Sequence, residues 1–292
     1  MELMKLKIKI NSPKYWIHNF PWKLPKDHKY SRGQLITVAG QKSMIGAIIL
    51  ASESALRVGT GSVKIVCSKE TFSIISKKFS SVLKKEVNSL GAFKKFVLEQ
   101  KKSVFLIGPG MGSNNSTMLK VSYILKNVKY VIIDADALTC FRSKTKRLYS
   151  LLDKNKIITP HIKEFHKIFP SIKKKISNEK KILKAINIAK TNIILKGHNT
   201  LIGSYDGKIV CNRHTSSELA VIGSGDVLSG IVSSLIGKKK LNPFLAGCAG
   251  VWIHGDIAKN FGTGLIAEDI IKGIPKTLKN LKYGRFVKKR KR

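Results

Sequence analysis

QLITVAGQKSMIGAIILASESALRVGTGSVKIVCS (34–68) contains a complete strand–helix–strand unit. Its first part, 34–40, is a short apolar run that ends in glycine, which predicts a buried strand. Residues 45–57 carry Ala, Ile and Leu at helical spacing and predict a helix, and 61–68 predict the next strand. A strand, a helix and a strand within about thirty residues form a βαβ unit.

The same alternation continues along the chain. Apolar runs predict further strands at 103–108, 130–138, 156–160 and 192–197, with helices at 116–128 and 178–190. The stretch TLIGSYDGKIVCN (200–212) predicts a hairpin with Asp206-Gly207 in its turn. Three successive helices are predicted at 224–237, 243–260 and 267–278. This order predicts an α/β fold with a mostly parallel central sheet and helices on both faces.

The chain reads as one large domain, because no linker rich in Gly, Ser or Pro divides it. We expect an N-terminal arm over 1–27, a single domain over 28–280 and a basic C-terminal tail over 281–292. The first ten residues, MELMKLKIKI, alternate Lys with apolar residues and predict an edge strand rather than a signal peptide. The rest of the arm contains three prolines and is expected to be extended.

The charge balance is strongly basic, with 55 Lys and Arg against 17 Asp and Glu and a formal net charge of +38. Such a charge suits a nucleic acid or an anionic membrane surface as partner. The basic residues are, however, spread over the whole length, which favours an ordinary solvated surface. No alternation of aromatic and basic residues and no zinc-finger spacing supports a nucleic-acid partner.

Other features of the composition exclude several protein classes. The four cysteines form no CxxC pair, which excludes the usual zinc and redox motifs and favours a reducing cytoplasm. No apolar run reaches about 18 residues, so no transmembrane helix and no membrane partner are predicted. The histidines show no ligand spacing, and we predict no metal site made by the protein alone.

Five polar or glycine-rich segments follow predicted strands. They are GQKSMIG (40–46), GPGMG (108–112), DADAL (134–138), TPHIKEF (159–165) and KGHNT (196–200). In parallel sheets, ligands bind outside the carboxyl ends of the strands, so these segments are expected to gather at one edge.

The turn at the start of IGSGDVLSGIVSSLIG (222–237) carries the strongest candidate chemistry. Gly223 and Gly225 allow close backbone approach and positive φ, and Ser224 can cap the helix that follows. The free N–H groups of this helix start would form an anion hole, Gly223 to Gly225, reinforced by the helix dipole. Asp226 would face the same space and could deprotonate a hydroxyl that attacks a phosphoryl group. The alternative is an ordinary helix entry.

Weaker candidates lie in the other segments. Asp134 and Asp136 are predicted on one face of a strand, where they could hold Mg²⁺ or ribose hydroxyls, although Asp136 could instead cap the next helix. His161 and Glu164 are either a site pair or a structural pair. The GPGMG loop lacks the P-loop pattern and is either a phosphate-approaching loop or a plain turn.

The ordered set of motifs resembles the NAD(P)H-hydrate dehydratases, carbohydrate-kinase-like repair enzymes of the ribokinase-like superfamily. The resemblance spans about residues 28 to 280 and runs through LIGPGMG (106–112), VIIDADAL (131–138), IITPHIKEF (157–165), IILKGHNTLI (193–202), IGSGDVLSGIVSSLIG (222–237) and AGCAGVWIHG (246–255). It also includes 28–66, which contains the βαβ unit.

The resemblance implies a hydrated reduced nicotinamide nucleotide as substrate, dehydrated to NADH or NADPH at the expense of ADP or ATP with Mg²⁺. It implies Asp226 as the base. It also implies substrate contacts at Ala47, Gly110, Gly112, His161 and Asp226, and adenine-nucleotide contacts at Lys196, Gly197, His198, Asn199, Thr200 and Gly225.

Two departures from the family pattern stand out. Ile222 replaces the first of two glycines, which could narrow the anion hole or be absorbed beside it, and NRHTSSELA (212–220) lacks the usual Thr-Gly-Asn. We expect a homo-oligomer, and any epimerase as a separate protein. The competing hypotheses are a small-molecule kinase of the same superfamily, acting on a vitamin precursor or a sugar, and a basic nucleic-acid-binding protein on a degenerate scaffold.

Overall fold

A computed structural model describes residues 8–78, 80–236 and 241–284. Within these ranges the strands are β1 (Lys9–Ile10), β2 (Gln34–Val38), β3 (Ser62–Cys67), β4 (Leu83–Glu86), β5 (Val104–Ile107), β6 (Val131–Ile133), β7 (Lys156–Ile158), β8 (Asn192–Leu195), β9 (Thr200–Gly203) and β10 (Ile209–Asn212). They form one sheet in the order β1-β10-β9-β8-β7-β6-β5-β2-β3-β4. β9 is antiparallel to both of its neighbours, β8 and β10, and the other strand pairs are parallel.

Helices cover both faces of this sheet. They are α1 (Ile45–Val58), α2 (Lys69–Lys78), α3 (Leu90–Glu99), α4 (Asn115–Asn127), α5 (Asp136–Thr139), α6 (Thr145–Tyr149), α7 (Ile162–Ile168), α8 (Asn178–Ala189), α9 (Ser224–Ile236), α10 (Pro243–Phe261) and α11 (Ala267–Tyr283). Successive strand residues belong to two different apolar cores: Leu35 and Leu106 pack with α1 and α9, whereas Ile36 and Phe105 pack with α3 and α4. The predicted α/β fold with helices on both faces is confirmed.

Strands β2, β5 and β8 read as continuous apolar runs because both of their faces are buried. β4 is the opposite case. Its sequence LKKE is mostly exposed at the edge of the sheet, and neither it nor the flanking helices α2 and α3 was predicted. Charged residues on an edge strand discourage pairing with other chains, but they also remove the apolar pattern that marks a strand.

The strand predicted over 130–138 is shorter than expected. It ends at Ile133, and Ala135 has a φ of 47° that breaks the extended backbone before α5 begins at Asp136. The prediction that strand alternation places Asp134 and Asp136 on one face was therefore wrong.

The N-terminal segment packs against the sheet and α10. The two residues of β1 add to the sheet edge beside β10, as the edge-strand prediction expected, and residues 1–7 of that prediction lie outside the described residues. The remainder is not simply extended, because it forms two short 3₁₀ turns at Pro13–Tyr15 and Ile17–Asn19. Trp16 is fully buried between Phe20 and Trp252.

At the other end of the chain, α11 runs through the predicted boundary at residue 280 to Tyr283. Residues 285–292 of the predicted tail lie outside the described residues. In the described ranges, no helix is both long and apolar enough to cross a membrane.

The end of α8 offers a test of backbone strain. Lys190 caps this helix in the left-handed region, at φ 50° and ψ 38°. A side chain in this region costs about 1 kcal/mol, a cost that glycine avoids. We expect Lys190→Gly to raise the free energy of unfolding by up to about 1 kcal/mol in urea denaturation. Lys190→Ala keeps the β-carbon and is the control; equal stabilisation by both variants would contradict this account.

Candidate active site

The five segments predicted to gather at one edge do so. β8, β7, β6, β5 and β2 are successive parallel neighbours, so their carboxyl ends lie side by side. Direct contacts join the segments. Gln41 donates its backbone N–H to the Gly110 carbonyl oxygen at 2.8 Å, and Lys196 donates its own to the Pro160 carbonyl oxygen at 2.9 Å.

A buried ion pair lies at the centre of this edge. The Lys196 Nζ is 2.9 Å from Asp134 Oδ1, and Ser229 on α9 donates its hydroxyl to Asp134 Oδ2 at 2.6 Å. Burial alone would raise the pKa of Asp134, but Lys196 and the Ser229 hydrogen bond hold it below its usual value. Burial alone would lower the pKa of Lys196, but Asp134 and Glu164 raise it. Both groups are therefore charged at neutral pH.

Asp226 lies in the first turn of α9, next to this pair. Burial raises its pKa from 3.8 to about 7, and the negative charges of Asp134 and Glu164 act in the same direction against the opposing effect of Lys196. A carboxylate with a pKa near the working pH is suited to accept a proton during a reaction. The two carboxylates thus differ in function: Asp134 holds Lys196, and Asp226 is free to titrate.

The turn before α9 is fixed by its glycines. Gly223 has a φ of +84°, and a β-carbon there would lie 2.5 Å from a methyl group of Leu50. Gly225 is instead part of the helix, and its φ is not positive, which corrects the prediction that both glycines need this freedom. A β-carbon on Gly225 would lie 3.5 Å from Lys196 Nζ, so this lysine borders the helix start.

Ser224 does not cap α9 as predicted. It is the first residue of the helix, and its hydroxyl pairs with Nε2 of His254 at 3.1 Å. The same nitrogen lies 3.0 Å from the Ser224 carbonyl oxygen. Burial lowers the pKa of His254 to about 4, so this histidine is neutral and links α10 to the turn. The Ser224 N–H donates to the Val221 carbonyl oxygen at 3.4 Å. The N–H groups of Gly225 and Asp226 precede the first internal hydrogen bond of α9, from Val227 to Gly223, and can meet an anion.

Ile222 does not fill the proposed anion hole. Its side chain is 100% exposed, and its φ is not in the left-handed region. The backbone at this position therefore does not require glycine. We expected Ile222 either to narrow the anion hole or to be accommodated beside it. The structure shows the second outcome, with Ile222 beside the turn.

A cavity of about 610 Å³ opens against this turn. Its volume lies in the range of small-molecule sites. Five of the six residues predicted to contact the adenine nucleotide line this cavity: Lys196, Gly197, His198, Thr200 and Gly225. Asn199 is exposed and is not among the lining residues. Ser224, His161 and His254 also line the cavity, whereas Asp226, which follows Gly225 in the chain, is not among the lining residues.

His161 caps α7 through its side chain. Its Nδ1 accepts the backbone N–H groups of Lys163 and Glu164, while Glu164 Oε2 accepts the N–H of His161 at 2.9 Å. The pair is thus structural, and His161 Nε2 lies 3.5 Å from Glu164 Oε1, yet the half-exposed side chain of His161 also lines the cavity. The structural role of the His161–Glu164 pair is therefore compatible with a role of His161 in the site.

The other predicted substrate residues, Ala47, Gly110 and Gly112, are not among those that line the cavity. Ala47 is in the first turn of α1, and a β-carbon on Gly110 would lie 2.7 Å from Met44, just before that helix. Gly112 donates its N–H to Asp136 Oδ2 at 2.8 Å. Asp136 therefore steadies the glycine-rich loop, in addition to lying in the first turn of α5.

The donor set fits a Mg²⁺ ion that arrives with nucleotide phosphates. Among the described residues, no group of three or more His, Cys, Asp or Glu side chains is placed to hold a metal. Mg²⁺ commonly needs only one or two protein carboxylates when phosphates supply other ligands. Asp134 is held by Lys196 and Ser229, and Glu164 Oε2 accepts the N–H of His161, so such an ion would be held mainly by the phosphates with which it arrives.

Several cavity residues were not predicted. They are Asn212, the last residue of β10, and, from the segment between β10 and α9, Thr215, Ser216, Ser217, Leu219, Ala220 and Val221. The one available signal was their hydroxyl-rich composition, which is common in loops. Ser229 was also missed, because its partner Asp134 lies 95 residues away in the chain.

Known proteins share this architecture and sequence. The family model described as NAD(P)H-hydrate dehydratase matches residues 35–276. An ADP-dependent (S)-NAD(P)H-hydrate dehydratase of Neisseria meningitidis is 31% identical over 266 residues, which cover 87% of each chain. A bifunctional NAD(P)H-hydrate repair enzyme of Moorella thermoacetica is 28% identical over 87% of this chain but only 51% of its own length. The chain thus spans about half of this bifunctional relative.

Solved structures agree on the fold. The ADP/ATP-dependent NAD(P)H-hydrate dehydratase of Bacillus subtilis, co-crystallised with ATP and Mg²⁺, superposes with a TM-score of 0.79 at 22% identity, covering 94% of this chain and 99% of its own. A ribokinase-like superfamily protein of Enterococcus faecalis gives 0.82 at 19% identity, covering 96% and 99%. These likenesses show a ribokinase-like fold. Together with the family match over most of its length, they establish that the chain belongs to the NAD(P)H-hydrate dehydratase family.

Proposed function

We propose that this chain dehydrates hydrated NADH or NADPH to the intact reduced nucleotide, with ADP or ATP as phosphoryl donor. The observation that carries the proposal is the position of Asp226, whose pKa burial raises to about 7, in the first turn of α9 beside Lys196 and the cavity. The family membership and the names of the relatives support the same reaction.

The reaction has two steps that this geometry can serve. Water is a poor leaving group, so the ring hydroxyl is first phosphorylated. Asp226 takes the hydroxyl proton while the oxygen attacks the terminal phosphoryl group, and the donor leaves one phosphate shorter. The C–O bond then breaks, phosphate departs with the electron pair while the lone pair of the ring nitrogen forms an iminium ion, and loss of a proton from the neighbouring ring carbon restores the conjugated ring.

The chain's other groups stabilise charge in the first step. Of the predicted anion-hole residues, Gly223 and Gly225 would turn their N–H groups to the developing negative charge, because the Ser224 N–H donates to Val221. Lys196 borders the same helix start and adds a fixed positive charge that Asp134 holds in place. A Mg²⁺ ion bound with the donor would add positive charge at the phosphates, which would themselves be its main ligands.

The proposal assigns the two sides of the turn to two ligands. The cavity lined by Lys196, Gly197, His198 and Thr200 takes the phosphoryl donor. The segments that carry Ala47, Gly110 and Gly112, together with His161 from the cavity lining, take the hydrated nicotinamide. The expectations of a homo-oligomer, of a separate epimerase, of a cytoplasmic location and of the domain boundaries at residues 27 and 280 stay predictions.

One assay tests the function. The protein is incubated with hydrated NADH, Mg²⁺ and either ADP or ATP, and the absorbance of reduced nicotinamide is followed. We expect recovery with at least one donor and none without a donor. If neither donor restores the absorbance, the proposal fails. Stable phosphorylation of a vitamin precursor or sugar would then favour a superfamily kinase, and salt-dependent RNA binding without turnover would favour a nucleic-acid-binding protein.

The pH dependence of this assay follows from Asp226. The base acts only when it is ionised, and burial places its pKa at about 7. We therefore expect kcat/KM to be constant well above pH 7 and to fall about tenfold per pH unit well below it. A rate that stays unchanged from pH 8 to pH 5 would show that another group accepts the proton.

A further inference from the structure

The wall of the donor cavity opposite Lys196 has almost no regular structure. It is formed by Thr215, Ser216 and Ser217 with Leu219 and Ala220, between β10 and α9. The one regular element in it is a single 3₁₀ turn at Ser217–Leu219. A wall of this kind keeps its shape only if it is attached to a rigid element, because its own backbone hydrogen bonds are few.

His214 provides such an attachment. Its Nε2 lies 2.8 Å from Asp256 Oδ1 on α10, and its ring stacks on Trp252 with centroids 4.7 Å apart and planes 12° apart. The carbonyl oxygen of His214 accepts a hydrogen bond from Asn212 Nδ2 at 2.8 Å. A β-carbon on Gly255 would lie 1.9 Å from that carbonyl oxygen, so the segment lies directly against α10.

α10, the helix to which His214 is attached, is long and mostly buried. α10 is 19 residues long, and most of its residues, including Ile253 and His254, are buried. Asp256 is fixed from its other side by Thr277, whose hydroxyl donates to Oδ2 at 2.9 Å. His254, two residues earlier on α10, bonds Ser224 at the turn before α9. One helix thus holds both the donor wall and the turn.

We propose that His214 is a positioning residue for the phosphoryl donor: it clamps the 215–220 wall onto α10 through Asp256 and Trp252 and thereby sets donor affinity. This inference rests on the proposed function, because it takes the cavity to be the donor site. The His214 ring is not among the residues that line the cavity, so it acts through Thr215, Ser216 and Ser217 rather than by touching the ligand.

The test separates binding from chemistry. His214→Ala removes the hydrogen bond and the stacking. We expect it to raise KM for the donor, and Kd for ADP in calorimetry, by about tenfold, which corresponds to about 1.4 kcal/mol. We expect kcat at saturating donor to change less than about twofold, since Asp226 and the turn are untouched. His214→Gln retains a donor for Asp256 and should recover part of the affinity, and His214→Phe, which retains stacking alone, should recover less.

Thr277→Val is the matched control. It removes the other hydrogen bond of Asp256, from α11, and therefore costs stability without releasing the wall. We expect a lower melting temperature with unchanged KM. If His214→Ala lowers the melting temperature and leaves KM and Kd unchanged, the residue is merely structural and the inference is overturned. If His214→Ala does not fold, the Gln and Phe variants give the same comparison.

The inference and the proposed function fail in distinguishable ways. A wild-type protein that binds neither ADP nor ATP overturns both, because the cavity is then not a donor site. A wild-type protein that binds and turns over the donor, with His214 variants of equal affinity, overturns the inference alone.

Discussion

The Asp226→Asn variant is expected to retain ADP binding and to lose between about 10² and 10⁴ in kcat, the usual contribution of a general base. Asparagine has nearly the same shape but cannot accept the hydroxyl proton. The loss would be measured as NADH recovery at saturating substrate and donor. Asp269→Asn is the matched control, because Asp269 also lies in the first turn of a helix, α11, away from the cavity. Full activity of Asp226→Asn would remove this residue from the mechanism.

The same variant is expected to be more stable than the wild type above pH 7. The pKa of Asp226 rises from 3.8 to about 7 on folding, so the unfolded chain releases its proton first. The free energy of unfolding of the wild type therefore falls between about pH 4 and pH 7 and stays reduced above pH 7. Asparagine does not titrate. The advantage of the variant in melting temperature should grow over this window and vanish below it, and equal melting temperatures at pH 8 would contradict the raised pKa.

Asp134→Asn is expected to have the largest effect on stability, a loss of about 3–5 kcal/mol at neutral pH, because it leaves the largely buried Lys196 without its partner. The folded-state pKa of Asp134 is lowered, so its contribution is present above about pH 4 and is lost as the pH falls through that folded-state value. Urea denaturation at pH 7 measures the effect. Asp206→Asn, which breaks an exposed pair with Lys208, is the control and should cost about 1 kcal/mol or less.

The Asp134 variant also shifts the activity profile. Asp134 raises the pKa of Asp226, and its removal frees Lys196 to interact with Asp226 instead. Both changes lower the pKa of Asp226, so the acid limb of the pH–rate profile should move to lower pH. An unchanged acid limb in a folded Asp134→Asn protein would show that the two carboxylates are not coupled.

The fold could be predicted well where apolar runs alternate with amphipathic stretches. The βαβ unit at 34–68 and the later strands follow this pattern because both faces of a parallel sheet are buried. α2, β4 and α3 could not be predicted in the same way, because an exposed edge strand such as LKKE has no apolar face to show. The early end of β6 could not be predicted for a different reason: the positive φ of Ala135 has no local sequence signal.

The residues of the candidate site could likewise be predicted only in part from the sequence. Asp226 and the glycine turn were visible because a helix start has a local signature. The pairing of Lys196 with Asp134 was not, since 62 residues separate them and only the parallel register brings them together. Nor was the role of His214, whose partners Trp252 and Asp256 lie on a helix almost forty residues further along the chain. Long-range contacts of this kind depend on packing rather than on spacing.

The central claim is that the ring hydroxyl of the hydrated nicotinamide, deprotonated by Asp226, attacks the donor's terminal phosphoryl group. Hydrating NADH in ¹⁸O-water labels that hydroxyl, and the reaction is then run in ordinary water with ADP and Mg²⁺. Mass spectrometry of the inorganic phosphate decides the outcome. The account predicts one ¹⁸O atom in each phosphate released, formed in step with NADH, because the oxygen stays bonded to phosphorus when the C–O bond breaks. Unlabelled phosphate accompanied by ¹⁸O in the solvent water would contradict it.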